Sequence, residues 1–173
     1  GRHLYVSPIG GYMRFEDGIP FVRRHSLKDD LYVGGRVGVT LLRWLGIEGA
    51  GGITPTREDV TGGKEADWYH GSANLVFTPF SGPYFAPFLS VGGGLGQAKL
   101  ASGGTRNSMG DVEGAVGGTF WVNDVVGLRL EARDIVWLKA KQPTDVVTQT
   151  WLFGGGFTLA IGAKGRDTDG DGV

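Results

Sequence analysis

The run "LYVGGRVGVTLL", residues 31–42, alternates between large apolar side chains and small or polar ones. Successive side chains of a β-strand point to opposite faces of the sheet, so a period of two residues predicts a strand. A tilted strand needs about 10 residues to cross a bilayer. The stretch therefore predicts a two-faced strand of membrane-spanning length. Its large face carries Leu31, Val33, Val37, Val39 and Leu41, and its small face carries Tyr32, Gly34, Arg36, Gly38 and Thr40.

The same alternation recurs along the chain and predicts eight antiparallel strands, of which the first, over residues 3–14, is the least regular. We expect Leu4, Val6 and Tyr12 to form the apolar face of that first strand. The connections between strands alternate in length, and short turns at one end with longer loops at the other are typical of outer-membrane barrels. Tight connections are expected near 43–44, 78–83 and 123–124, and longer polar ones at 16–30, 55–67, 99–111 and 139–146.

Composition narrows the function classes. The 173 residues include 33 glycines and no cysteine, and the formal net charge is −1. The lack of cysteine excludes a disulfide framework, a catalytic thiol and a thiolate metal site. A charge near zero gives no reason to expect nucleic acid as a partner. Glycine at this frequency, mixed with aromatic and branched residues, indicates strands that bend around a crowded interior.

Two kinds of eight-stranded barrel fit this pattern. A lipocalin-like barrel is apolar inside, whereas a membrane barrel places its large apolar face against lipid. Eight strands enclose a lumen so narrow that side chains already fill it, and a set of Phe and Trp rings would not fit there. We therefore predict a transmembrane up-and-down barrel, over residues 1–163, with the small and charged face inside.

Charged residues recur on the predicted lumen face. Three arginines and three glutamates near mid-strand suggest mutual neutralisation, because an unpaired charge in a closed interior costs several kcal/mol. A three-residue turn at 122–124 would set Glu113 opposite Arg133. The pairs are interpreted as structural plugs, with gating of a small pore as the alternative. The predicted network consists of Arg36, Glu48, His70, Glu113, Arg129, Glu131 and Arg133.

Aromatic residues near strand ends predict girdles at the two membrane interfaces. The proposed interfacial set is Trp44, Trp68, Tyr84, Trp121, Trp137 and Trp151. For any one of these residues, ordinary packing is an equal alternative.

Three stretches resemble the outer-membrane barrel family typified by the amino-terminal domain of outer-membrane protein A. They are "RVGVTLLRWLGIEGAGG" at 36–52, "PYFAPFLSVGGGLG" at 83–96 and "VNDVVGLRLEARDIVW" at 122–137. The resemblance implies an integral protein of the bacterial outer membrane in contact with lipid and lipopolysaccharide. It also implies a periplasmic peptidoglycan-binding domain after the barrel, joined by an acidic linker.

The tail "DTDGDGV", residues 167–173, has the D-x-D-x-D-G form that opens a calcium loop. Asp167, Asp169 and Asp171 are its candidate metal ligands, but the glutamate at loop position 12 lies beyond Val173. Residues 164–173 are therefore interpreted as the start of a periplasmic linker. No cofactor is expected for the barrel, and calcium is expected only in a completed linker, which it would stiffen.

Catalysis is not expected. His70 and Ser72 share one strand face, but two polar residues that fill a lumen give the same spacing, and neither G-x-S-x-G nor H-E-x-x-H occurs. We predict a non-enzymatic barrel that anchors and stabilises the envelope. The alternatives are a narrow pore for ions or small solutes, and an adhesin or subunit of an envelope complex that binds through its loops. Lipopolysaccharide phosphate or a protein partner could then contact Arg23, Arg24, His25 and Lys28, which otherwise form a solvated loop.

Overall fold

A computed structural model describes residues 4–15, 30–57, 65–100, 107–138 and 148–162. They form eight β-strands that close into one barrel in chain order, with β8 paired to β1 and every pairing antiparallel. This confirms the predicted fold class. The strands are β1 (Leu4–Phe15), β2 (Asp30–Leu42), β3 (Leu45–Arg57), β4 (Glu65–Phe77), β5 (Phe85–Leu100), β6 (Asn107–Trp121), β7 (Val126–Leu138) and β8 (Thr148–Ile161).

The tight connections lie at one end of the barrel, which we call the turn end. They span residues 43–44, 78–84 and 122–125. The opposite end is called the loop end. There the strands run further than the sequence predicts, since β3 continues to Arg57 and β6 begins at Asn107. Among the described residues, no helix is long and apolar enough to cross a membrane.

The two faces of the strands separate as predicted at mid-barrel, whereas near the loop end the inward face also carries large apolar side chains such as Trp68 and Trp137. Large apolar side chains point outward and stay exposed, among them Val33 at 66% and Leu95 at 67%. The inward face of the same strands holds buried polar and charged groups such as Arg36. A hydrophobic exterior around a polar interior is the arrangement of a membrane barrel, because lipid takes the place of a protein core outside.

The register of the β6–β7 hairpin differs from the expected one. Trp121 pairs with Gly127, so five residues lie between the paired positions, and Glu113 stands opposite Ile135. The prediction that Glu113 would face Arg133 across the hairpin is wrong by two residues. The cause is the turn itself, in which the Asn123 side chain accepts hydrogen bonds from two later backbone N–H groups and so extends the loop.

Close packing inside the barrel depends on glycine. At Gly96 on β5, a Cβ atom would lie 2.2 Å from the Trp68 ring and 2.6 Å from the Trp137 ring. Only a residue without a side chain lets these two indoles meet there, so the glycine content of β5 is tied to what the lumen contains.

Candidate functional site

The lumen holds a network of six charged side chains at mid-barrel. The six alternate in sign and are at most 5% exposed. Each lies on the inward face of its strand, where alternation places it. We call Arg36, Glu48, Glu113, Arg129, Glu131 and Arg133 the charge network.

Glu131 lies at the centre of this network. Its carboxylate accepts hydrogen bonds from Arg36 at 2.7 Å, Arg129 at 3.0 Å and Arg133 at 3.4 Å. Glu113 extends the network, because one of its oxygens bonds to Arg133. The Arg133 side chain extends diagonally across the hairpin and contacts Glu113, although the register does not place the two residues directly opposite each other.

Glu48 forms a second centre nearer the turn end. Arg129 donates hydrogen bonds to it from two nitrogens, at 2.6 and 3.1 Å, in the bidentate geometry that arginine–carboxylate pairs frequently adopt. Tyr5 donates its hydroxyl to the same carboxylate at 2.8 Å. The Arg129 guanidinium also lies 4.2 Å from the centre of the Phe88 ring, a cation–π contact. The network is therefore joined by direct hydrogen bonds between opposite charges and is not merely neutral.

His70 joins the lumen beside Glu113. Its Nε2 atom lies 3.1 Å from Asp111 Oδ2 and 3.6 Å from Glu113 Oε2, and all three side chains are buried. Ser72 donates its hydroxyl to Glu113 Oε1 at 2.6 Å. The single hydroxyl proton of Ser72 is thus directed at a carboxylate and not at His70, which is not the arrangement of an activated serine nucleophile.

An apolar cluster closes the lumen on the loop-end side of the charges. Trp68 and Trp137 meet edge to face with ring centres 4.9 Å apart, and each is 1% exposed. The Trp137 indole N–H donates to Thr150 at 3.0 Å. We call this cluster the apolar plug; it consists of Ile9, Met13, Tyr32, Trp68, Ile135, Trp137 and Leu152.

The plug corrects the assignment of Trp68 and Trp137 to an interfacial girdle. Their positions have the parity of His70 on β4 and of Arg133 on β7, so strand geometry points both rings inward. The pattern of alternation indicates that both rings point inward, whereas their aromatic character and their place near strand ends favour the girdle.

The other proposed girdle residues divide by position. Trp44 and Tyr84 lie at the turn end and are 49% and 77% exposed. Trp151 is on the outward face of β8 near the loop end, stacked on Phe153 with ring centres 6.3 Å apart. Trp121 ends β6 and lines a cavity at the turn end. The outward side chains lie at the two heights where girdles are expected.

The turn end of the lumen is open. A cavity of about 690 Å³ lies there, with Tyr5, Phe88 and Arg129 among its lining residues. The Arg129–Glu48 pair and the rest of the charge network lie between this cavity and the apolar plug. The described part of the barrel is thus open at the turn end and filled by side chains from mid-barrel towards the loop end.

Some lumen residues were not identified from the sequence. The sequence pattern places Asp111 in a loop and gives Tyr5 no place in the predicted network, yet both side chains point inward into the network. Both have the parity of the inward face of their strands. The candidate calcium ligands Asp167, Asp169 and Asp171, the linker 164–173 and the basic loop residues 23–28 lie outside the described residues.

No family model matches the chain, and neither does any curated protein. Solved structures do match it along nearly its whole length. The outer-membrane protein OprG of Pseudomonas aeruginosa superposes with a TM-score of 0.65 at 10% identity, covering 93% of this chain and 96% of OprG.

Two further solved structures agree. The N-terminal β-barrel domain of Pseudomonas aeruginosa OprF gives a TM-score of 0.60 at 13% identity, covering 92% of this chain and 97% of that domain. Neisserial surface protein A gives 0.58 at 12%, covering 91% and 96%. At such identities the likeness concerns the fold: the chain has the eight-stranded barrel fold of outer-membrane proteins.

Proposed function

We propose that this chain is an integral barrel of the bacterial outer membrane that anchors and stabilises the envelope and does not conduct solutes. The observation that carries the proposal is the filled lumen. The charge network and the apolar plug together occupy the interior between the turn-end cavity and the loop end of the strands. A barrel whose interior is filled by bonded charges and packed indoles is suited to be a stable membrane anchor. No catalytic role is proposed for it.

Planar-bilayer recording tests the closed lumen. We expect no steady ion conductance from the folded barrel in a bilayer where a general porin conducts under the same conditions. Folding is checked independently by circular dichroism and by the shifted gel mobility of an unheated sample. Steady conductance from the folded protein would overturn the closed-lumen proposal in favour of a narrow pore.

The pore is the second candidate, and a specific observation favours it. Glu48 and Glu131 each lie within 4.0 Å of the same three arginines, so the pairs can exchange partners without leaving a charge unpaired. The cavity on the turn-end side of Arg129 is open and would admit ions as far as that residue. A gated pore predicts brief conducting events whose frequency rises in Arg129→Ala, whereas a static anchor predicts none in either protein.

Attachment to peptidoglycan is the second part of the anchor proposal. It is supported by the resemblance to the outer-membrane protein A family and by the D-x-D-x-D-G stretch at 167–172. In this arrangement the turn end and the carboxyl end of the chain face the periplasm. The coding sequence downstream of Val173 tests the proposal: a peptidoglycan-binding domain supports it, and a stop codon contradicts it.

An adhesin or complex subunit remains as a third class. It would depend on the basic loop at 23–28, so deletion of that loop should abolish partner or lipopolysaccharide binding and leave folding intact. The same deletion should leave a pure anchor unaffected.

A further inference from the structure

His70, Asp111 and Glu113 converge in one corner of the lumen, which we call the His70 corner. The three side chains are buried, and one donor atom from each lies within 4.8 Å of the other two. The nitrogen of His70 is 3.1 Å from one carboxylate oxygen and 3.6 Å from the other. One nitrogen and two oxygen donors thus face a common point.

Two carboxylate oxygens of this corner have no hydrogen-bond partner among the residues that the structure describes. They are Glu113 Oε2, which lies 3.6 Å from His70 Nε2, and Asp111 Oδ1, whose partner oxygen Oδ2 lies 3.1 Å from the same nitrogen. Their residues are 2% and 5% exposed. Buried polar atoms are nearly always bonded, so two buried carboxylate oxygens without donors, on residues that both face His70, indicate that this corner accommodates a cation.

The charge balance of the lumen points the same way. Three arginines offset three glutamates within the charge network, and Asp111 is one further carboxylate among the described buried groups. Among the described residues, Asp111 forms an ion pair only with His70, at 3.1 Å. A surplus buried carboxylate costs several kcal/mol unless a cation lies beside it.

We propose that His70, Asp111 and Glu113 bind a divalent transition-metal ion, with zinc as the representative case. Tetrahedral zinc, with bonds of about 2.0–2.2 Å to nitrogen and oxygen, places neighbouring ligand atoms roughly 3.3–3.6 Å apart. The distances of 3.1 and 3.6 Å from His70 bracket that separation. Imidazole with carboxylate suits zinc, copper, nickel or iron, whereas calcium takes six to eight oxygen ligands.

The surroundings orient the ligands. Ser72 and Arg133 both donate to Glu113 Oε1, which leaves Oε2 free for the ion. Such outer contacts fix ligand carboxylates in metal sites. The His70 ring also packs edge to face on Trp137, with ring centres 5.7 Å apart, so the apolar plug shields the corner from the loop end.

Glycine on β5 makes the meeting of ligands possible. β4 and β6 flank β5, and the inward position between Ser72 and Asp111 is Gly94. A Cβ there would lie 3.0 Å from Asp111 Oδ2 and 2.4 Å from a backbone oxygen of β4. The absent side chain lets groups from two strands that are not neighbours reach one point.

Metal titration of the refolded barrel tests the site. His3 and His25 lie elsewhere in the chain, so the reference protein carries His3→Ala and His25→Ala and keeps His70 as its single histidine. The protein is refolded with cobalt(II) or zinc(II), because the plug covers the corner, and excess metal is removed by gel filtration. We expect one equivalent of retained metal and the visible absorption of tetrahedral cobalt.

Three variants on that reference locate the ion. His70→Gln keeps a hydrogen-bonding side chain of similar length, and Asp111→Asn keeps the shape of the carboxylate; each should abolish retention and the cobalt spectrum. Ser72→Ala removes only a supporting contact and should weaken binding by about 10–100-fold. Asp167→Asn with Asp169→Asn is the matched control in the tail and should bind as the reference does.

The result that overturns the proposal is a folded reference that retains no metal, because His70 and Asp111 would then only pair with each other. Retention that survives His70→Gln and is lost in the tail variant would also overturn it, because the ion would then belong to residues 167–171. Metal affects neither the conductance nor the peptidoglycan tests, so failure here is distinct from failure of the proposed function.

Discussion

Glu48 lies against the guanidinium of Arg129 and the hydroxyl of Tyr5, with no exposed surface. At the scale of single residues, the stability of the lumen therefore depends on keeping such pairs intact. Breaking a buried pair leaves one charge uncompensated, whereas removing both charges together is often close to neutral. This asymmetry gives a direct test of the charge network.

Arg129→Ala should lower the free energy of unfolding by about 3–5 kcal/mol, because Glu48 loses both of its short arginine contacts. Urea titration of tryptophan fluorescence in lipid vesicles measures the change. Arg43→Ala is the matched control: Arg43 is exposed in the β2–β3 turn and should cost less than about 0.5 kcal/mol.

A double-mutant cycle with Arg129→Met and Glu48→Gln separates pairing from packing. The double variant should be more stable than the sum of the two single losses predicts, by about 0.5–3 kcal/mol. Additive losses would show that the two side chains act independently and that the network is not a bonded unit.

Single residues also show what the sequence could and could not predict. Alternation alone places Arg36, Glu48 and Glu131 in the lumen, because each has the parity of the small and polar face of its strand. Trp68 and Trp137 were misassigned, since an indole is equally compatible with a lipid interface and a packed interior. Side-chain type could not decide between these two environments, whereas parity along the strand could.

At the scale of the element, the turn of the β6–β7 hairpin is stabilised by one side chain in addition to its backbone hydrogen bonds. Asn123 Oδ1 accepts hydrogen bonds from the backbone of Val125 at 2.8 Å and Val126 at 2.7 Å. Asn123→Ala should cost roughly 0.5–1.5 kcal/mol in urea unfolding, because the turn loses both bonds. Asn123→Asp keeps the oxygen and should unfold close to the unaltered protein; an equal loss in both variants would contradict this account of the turn.

The register of this hairpin could not be read from the sequence. Alternation requires an odd number of residues between the paired positions, and loops of three and five both satisfy it. The choice was made by the local hydrogen bonds of Asn123, which depend on turn geometry rather than on hydrophobic pattern.

Strand β5 carries a second prediction at this scale. Gly94→Ala would bring a Cβ to 2.4 Å from a backbone oxygen and 2.8 Å from the Ser72 side chain, so β4 and β5 must shift apart. We expect a loss of about 1–3 kcal/mol by urea titration. Gly114→Ala is the control, because its nearest atom would lie at 3.8 Å and the change should be neutral. Equal tolerance at both sites would contradict the crowded lumen.

At the scale of the whole molecule, the closed barrel was predictable because every strand repeats the same two-residue rule. Closure joins β1 to β8 and leaves no free edge. A closed barrel is required because the backbone N–H and C=O groups of an unpaired strand could not form hydrogen bonds in lipid. The contents of the lumen were less predictable. The apolar plug combines residues from β1, β2, β4, β7 and β8; parity indicates that each points inward, but the pattern within one strand does not show which residues of other strands it packs against.

The central claim is that the large face of the strands meets lipid. Site-directed spin labelling tests it most directly, because the chain has no cysteine and each label sits at one chosen position. Val37, Val91 and Leu130 are outward positions near mid-strand, 53%, 58% and 57% exposed, and Ser81 is an exposed position in the β4–β5 connection.

In lipid vesicles, we predict that labels at Val37→Cys, Val91→Cys and Leu130→Cys collide freely with oxygen and scarcely with a water-soluble nickel complex. A label at Ser81→Cys should show the reverse. Ready collision of the three mid-strand labels with the nickel complex would contradict the account, because the large apolar face would then lie in water.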